Sequence, residues 1–292
     1  MTAAAISSRH PVPLVSWAST MGGWGLGDGL MCNQLADRDY FRAYRSSLGF
    51  TSQATAKEFL SGKNVSAGID YEYIDRLLTR LNEIITAVNS SMHISRQHEN
   101  IAQFCSTNIT DIYTVVRETG NLPRLNNQGR RPENVLYSWL RGYAMTRFLQ
   151  PTIADLFAID PEAIHDFGDD DFRAIETFRR TPKADLQLTY GDTQIVIEVQ
   201  SGFQNINDIK QHKVLEAKRI RREEGVVTIC MHFDVFNGQV AFVRLDAIDE
   251  ENLNWITRQQ MEGQTVFNID LGYFGWRVMN PLPTLDSLDL NL

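Results

Sequence analysis

Asp185, Glu198 and Gln200, near the middle of the chain, are of types and spacing that can do chemistry on a phosphate. Residues 184–190 alternate polar and apolar, Gly191-Asp192 turns the chain, and 194–200 resumes with β-branched Ile195, Val196, Ile197 and Val199, which predicts a β-hairpin. Side chains alternate faces along a strand, so Glu198 and Gln200 point one way and Val199 the other. Folding back at Gly191 brings Asp185, at the start of the first strand, beside Glu198, near the end of the second. Two carboxylates held close, with backbone carbonyls at hand, make an all-oxygen site of the kind hard divalent cations take. Mg2+ in particular uses one or two carboxylates and keeps waters and phosphate oxygens as its other ligands. Such a cation activates a water and stabilises the charge that develops when a phosphodiester is attacked.

The pattern Pro182-x-x-Asp185, twelve residues, then Glu198-x-Gln200 resembles the active-site hairpin of the PD-(D/E)XK nuclease superfamily, which includes most type II restriction endonucleases. The resemblance extends over about residues 133–245. It implies that Asp185 and Glu198 are metal ligands, that the Val199 carbonyl contributes, and that the cofactor is Mg2+. It also implies double-stranded DNA as substrate and a homodimer as the working unit on palindromic duplex. Gln200 stands where the motif has lysine, and a glutamine amide carries no positive charge, so the lysine's role must be met differently.

A helix is predicted after the hairpin, with Ile206, Ile209, Val214, Ala217 and Ile220 on one face at about 100° per residue. Lys210 and Lys213 project from that face near its start, and lysine on an otherwise buried face is unusual. Either one of them leans into the site as a displaced cation, or both stems carry their ammonium groups past the apolar stripe to water. Glu133 opens an earlier helix behind Pro132; by resemblance it is a further acidic ligand, and by local electrostatics it is an acid favoured at a helix N-terminus. The basic loop 122–131 offers Arg124, Asn126, Asn127, Gln128, Arg130 and Arg131, side-chain types that hold phosphates or read base edges, and equally the composition of an ordinary surface loop.

The elements that must carry these groups are legible in outline. A chain of 292 residues, 43% hydrophobic and 22% charged, builds one large domain or two small ones with a full core. The net charge of −8 argues against a general nucleic-acid coat protein, though not against an enzyme with its basic residues in one cleft. Cys32, Cys105 and Cys230 are few and widely spaced, as expected of reduced thiols in a cytoplasmic protein, and no apolar run is long enough for a membrane span. The Gly-rich run 22–29 lacks the preceding strand and the lysine that a phosphate-cradling loop needs.

Helices are expected over 37–47, 51–60, from a cap at Asp70 to about 88, over 96–118 with an interruption near Thr107-Asn108, and over 132–149 with an extension past Pro151. His93 and His98 fall on different faces of one helix, as core or solvated histidines do. A buried strand 226–236, an Asn237-Gly238 turn and a return strand 239–245 follow, then a helix over 249–261, a strand-like stretch 266–278 and an exposed acidic tail. The expected fold is α/β, a mixed central sheet with flanking helices (residues 122–292, a nuclease-like core), preceded by a mainly helical region (residues 1–121). The expected function is Mg2+-dependent, sequence-specific cleavage of double-stranded DNA, as in a type II restriction endonuclease. The alternatives are another nuclease on the same core, transposon-associated or in repair, or a non-catalytic DNA-binding or assembly protein.

Overall fold

The computed structural model describes residues 38–62, 65, 68–125, 130–167, 184–203, 207–258 and 263–292. The Gly-rich run, Pro182, Ile206 and Asn126 to Gln128 lie outside them, as does most of the acidic run 166–171. The chain divides into two compact units, residues 1–60 and 61–292. In the first, α1 (Arg38–Ser47) and α2 (Gln53–Ser61) flank a turn at Gly49, whose φ of 73° suits glycine. The Ser52 hydroxyl caps α2 by accepting the Thr55 amide at 3.2 Å. Neither helix buries a residue.

The second unit is a mixed sheet with helices on one face and a helix plus a smaller sheet on the other. Asp70 starts α3 (Tyr71–Ser91) by accepting the Tyr73 amide at 2.9 Å, and Ile74, Leu78, Leu81 and Ile85 bury one stripe of it. The next helical run is α4 (Ile101–Cys105), one π-helical turn (Ser106–Thr110) and α5 (Asp111–Glu118), so the expected interruption is a change of winding within a continuous run. The long α6 (Pro132–Leu156) starts at Pro132 and continues through Pro151. His98 packs against the rings of Phe104 and Phe148 and its Nε2 lies 2.9 Å from the Phe148 carbonyl, which makes it a core histidine.

The main sheet contains β1 (His165–Asp166), β2 (Leu186–Tyr190), β3 (Thr193–Gly202), β5 (Val227–Asp234), β6 (Gln239–Arg244) and β9 (Phe274–Arg277), side by side in that order. Among the described strands of this sheet, only the β3–β5 pair is parallel. Leu186, Leu188, Ile195, Ile197, Ile229, Met231 and Phe233 share one core with α3 to α6. The opposite face meets α7 (Gln211–Glu224) and the antiparallel sheet of β4 (Asp208–Lys210), β8 (Gln264–Asn268) and β7 (Ile256–Arg258), through Ile209, Val214, Ala217, Cys230, Val243 and Phe267. No helix among the described residues is long and apolar enough to cross a membrane.

Four expectations need correction. The helix after the hairpin starts at Gln211, not near Ile206: residues 208–210 pair with β8, and Arg258 and Asn268 hold the Asp208 carboxylate at 2.8 and 3.0 Å. Ile209 is therefore buried from a strand, and Lys210 ends that strand. No helix forms within the described part of 249–261, because Ile256, Thr257 and Arg258 are taken as an edge strand against Gln264 to Val266. The β5–β6 connection has four residues rather than two, since Asp234 ends the strand by accepting the amides of Phe236 and Asn237 at 3.2 and 3.3 Å. The C-terminal tail is packed: Leu290 is buried, and the Arg244 guanidinium donates to its carbonyl at 3.3 Å.

Leu140, 0% exposed on α6, contacts the shared core. Leu140→Ala is expected to lower the unfolding free energy by about 2–5 kcal/mol, measured by urea titration. A loss under about 1 kcal/mol would mean that α6 is not packed as described.

Candidate active site

The site grows out of a mismatch in strand length. β2 and β3 pair from Tyr190 opposite Thr193 to Leu186 opposite Ile197, around a turn where Gly191 takes φ 57°. β3 then continues to Gly202 while β2 begins at Leu186. Asp185 donates its amide to the Ile197 carbonyl at 3.0 Å, and its Oδ2 accepts the next amide of β3, Val199 N, at 2.7 Å. A carboxylate thus takes the place of a backbone acceptor, and Asp185 is fixed beside the Glu198–Val199 peptide.

Alternation does the rest. Ile195 and Ile197 enter the helix-side core, so Val196, Glu198 and Gln200 face α7. Glu198, only 8% exposed, forms an ion pair through Oε1 with Lys213 Nζ from the first turn of α7. Gln200 Nε2 donates to the same oxygen at 3.4 Å, a long and weak bond. Lys213 is thus the lysine that meets Glu198; Lys210 occupies the position just before α7, and after burial its charge is what lowers the His212 pKa.

Across the parallel pair, Glu198 stands opposite Cys230. Burial pushes that thiol up to about 12, against the pull of Lys213 and with a push from Asp185, so it is a neutral wall of the site and not a nucleophile. Cys230, His232 and Asp234 are the neighbours that sequence reading misses. In VTICMHFD the polar residues fall on alternate positions, the available signal, but the run reads as a uniformly buried strand.

The remaining candidates are engaged elsewhere. Glu133 is 1% exposed; its Oε1 accepts the Asp70 amide at 2.8 Å and Arg131 holds both oxygens at 3.1 and 3.2 Å. Burial alone would raise this carboxyl, but the Asp70 amide, its own amide and Arg131 together hold it below the usual range. Arg131 also lies over the Tyr73 ring at 5.1 Å. Arg130 donates to the Ser138 hydroxyl at 2.7 Å, and Arg124 lies in a 3-10 turn (Leu122–Leu125).

Whether a divalent cation fits is decided by the donor set. Among the described residues no group of three or more His, Cys, Asp and Glu converges. Two carboxylates and the Val199 carbonyl are hard oxygen donors, the small set that suits Mg2+ and leaves room for waters and phosphate oxygens. The thiol and imidazole clusters that softer metals select are not found among the described residues.

Because the folded Glu133 carboxyl lies below its ordinary value, the stability it contributes is full above about pH 4.3 and is lost as pH falls through the folded value. Glu133→Gln is therefore expected to cost about 1–3 kcal/mol at pH 7, with the gap to the unaltered chain narrowing below pH 4 in denaturant titrations. A gap independent of pH would overturn the ion-pair account.

No family model and no curated protein matches the chain. Among solved structures, a Holliday junction resolvase from the archaeal hyperthermophile Archaeoglobus fulgidus is similar, with a TM-score of 0.28 and 16% identity, over 44% of this chain and 85% of that one. A likeness of this size carries no argument about activity.

Proposed function

We propose that this chain is a Mg2+-dependent nuclease of the PD-(D/E)XK type that hydrolyses DNA phosphodiester bonds. The observation that supports it best is the end of the β2–β3 hairpin. There a carboxylate is pinned on Val199 N, next to the residue that carries a second carboxylate, buried and salt-bridged to Lys213. Asp185, Glu198 and the Val199 carbonyl would hold the cation. When bound, it supplies an activated water and neutralises charge on the scissile phosphate.

The chain's own residues define the rest of the reaction. A water oxygen bonds to phosphorus as a phosphorus–oxygen ester bond breaks, and the leaving sugar oxygen gains a proton. Gln200 orients the water or a phosphate oxygen through its amide. Lys213, on α7, supplies the positive charge that Gln200 lacks, from a different element but beside the same carboxylate. Substrate affinity belongs to basic side chains outside the site. Arg124, Arg130 and Arg131, with Asn126, Asn127 and Gln128, are the proposed DNA contacts, and they concentrate positive charge locally on a chain of net charge −8.

The finer reading is a site-specific endonuclease of the type II restriction kind, acting on double-stranded DNA as a homodimer, one site per strand, with residues 1–121 as scaffold, dimer contact or DNA contact. Mixed-sequence plasmid tests it: discrete Mg2+-dependent fragments support it, a smear supports a non-specific nuclease, and intact plasmid ends the nuclease reading.

Asp185→Ala and Glu198→Ala are expected to slow cleavage on the order of 10²–10³-fold with DNA binding retained, and chelator to abolish it. An Asp185→Ala protein that cuts at the normal rate removes the site. Lys213→Ala is expected to bind Mn2+ about tenfold more tightly, because the ammonium and the cation share Glu198, and yet to cleave more slowly. Unchanged cation affinity would mean that they do not share it.

A further inference from the structure

Next to Gln200 in the sheet is a histidine that this reaction scheme leaves unused. His232 is directly opposite Gln200 in the parallel β3–β5 register, on the same face, and is 3% exposed. Its Nε2 lies 2.9 Å from Asn207 Oδ1, while its buried Nδ1 has no hydrogen-bond partner among the described residues.

The tautomer follows from the groups behind it. Asn207 Nδ2 faces Asp234 Oδ2 at 3.5 Å, and a carboxylate only accepts, so the Asn207 amide is oriented with its oxygen toward His232. That oxygen takes the Nε2 hydrogen. Burial holds the ring neutral, with a pKa lowered to about 4 although Asp234 and Asp208 pull the other way. A neutral ring carries one N–H hydrogen, so Nδ1 is a buried acceptor without a hydrogen-bond partner among the described residues. Such groups are rare and usually have a functional explanation.

Gln200 is the donor that the strand register places beside it. Strand neighbours are about 4.8 Å apart, and an amide has two hydrogens, of which the weak 3.4 Å bond to Glu198 uses one. We infer that His232 is the positioning residue for Gln200. Its Nδ1 accepts a Gln200 amide hydrogen once Glu198 is engaged by a divalent cation, which turns the Gln200 carbonyl toward the attacking water. This rests on the nuclease reading. It also gives the replacement of lysine a physical logic. An ammonium presents only donors, whereas a glutamine can be flipped end for end, and an acceptor in the wall selects one orientation. Gln200 then offers an acceptor to the attacking water, and the charge is left to Lys213.

The test uses the full chain and single-turnover cleavage of supercoiled plasmid in Mg2+. His232→Gln keeps a donor for Asn207 and removes the Nδ1 acceptor. His232→Asn returns an acceptor to the Nδ1 place. His232→Gln and Gln200→Ala are each expected to slow cleavage by about 10–100-fold with DNA affinity unchanged. The double variant should lose no more than either alone, and His232→Asn should recover about tenfold. Additive losses, or no recovery, would overturn the inference. A second readout does not depend on activity: the Nδ1 resonance of 15N-histidine-labelled protein during a Ca2+ titration. A shift seen in the unaltered protein and lost in Gln200→Ala supports the link, and a shift of equal size in both overturns it. If the unaltered protein leaves plasmid intact, the nuclease reading fails, and the resonance alone then decides between His232 and Gln200 being linked or not.

Discussion

Everything in the site depends on one hydrogen bond, Val199 N to Asp185 Oδ2 at 2.7 Å. β3 outruns its antiparallel partner, and an amide at that point needs an acceptor. Because a carboxylate supplies it, the negative charge of Asp185 is tied to the backbone next to Glu198 rather than free to turn into water. Both acids then lie at the end of the hairpin by a consequence of strand pairing, with Ile197 and Val199 buried or half-buried on the far side to keep the face from rotating.

The second requirement is charge balance. Glu198 is nearly buried, and an ionised carboxylate there must be compensated. Lys213 does so from α7, and its reach depends on where that helix starts. Arg258 and Asn268 grip Asp208 and draw residues 208–210 into β4, so the helix opens at Gln211 and Lys213 falls in its first turn. A long-range ion pair in the small sheet thus sets the position of a lysine on the helix that packs against the large one.

That dependence marks how far sequence reading reaches. Hairpin, alternation and caps are local: the Gly191 turn, the Asp70 cap and the shared face of Glu198 and Gln200 follow from residues within a few positions of each other. The start of α7 is not local. Residues 206–210 have a helical apolar spacing, and the strand wins because Val266, Phe267 and Asn268, nearly sixty residues on, offer backbone partners. The same competition removes the helix expected over 249–261, where Ile256 to Arg258 serve as an edge strand. Cys230 and His232 enter the site only through the β3–β5 register, which no spacing within either strand reveals.

A buried ion pair is poor evidence of stability, since desolvating two charges costs about what their attraction returns. Under the proposed nuclease reading, Lys213 and Glu198 are a pair kept for what it does. Removing either partner leaves an uncompensated charge, so the position beside Glu198 demands a cation at all times. An ammonium that fills it can yield part of its place to a divalent ion without the carboxylate ever being bare. On the same proposal, a second lysine in the place of Gln200 would oppose the incoming cation, while a glutamine amide orients without adding charge.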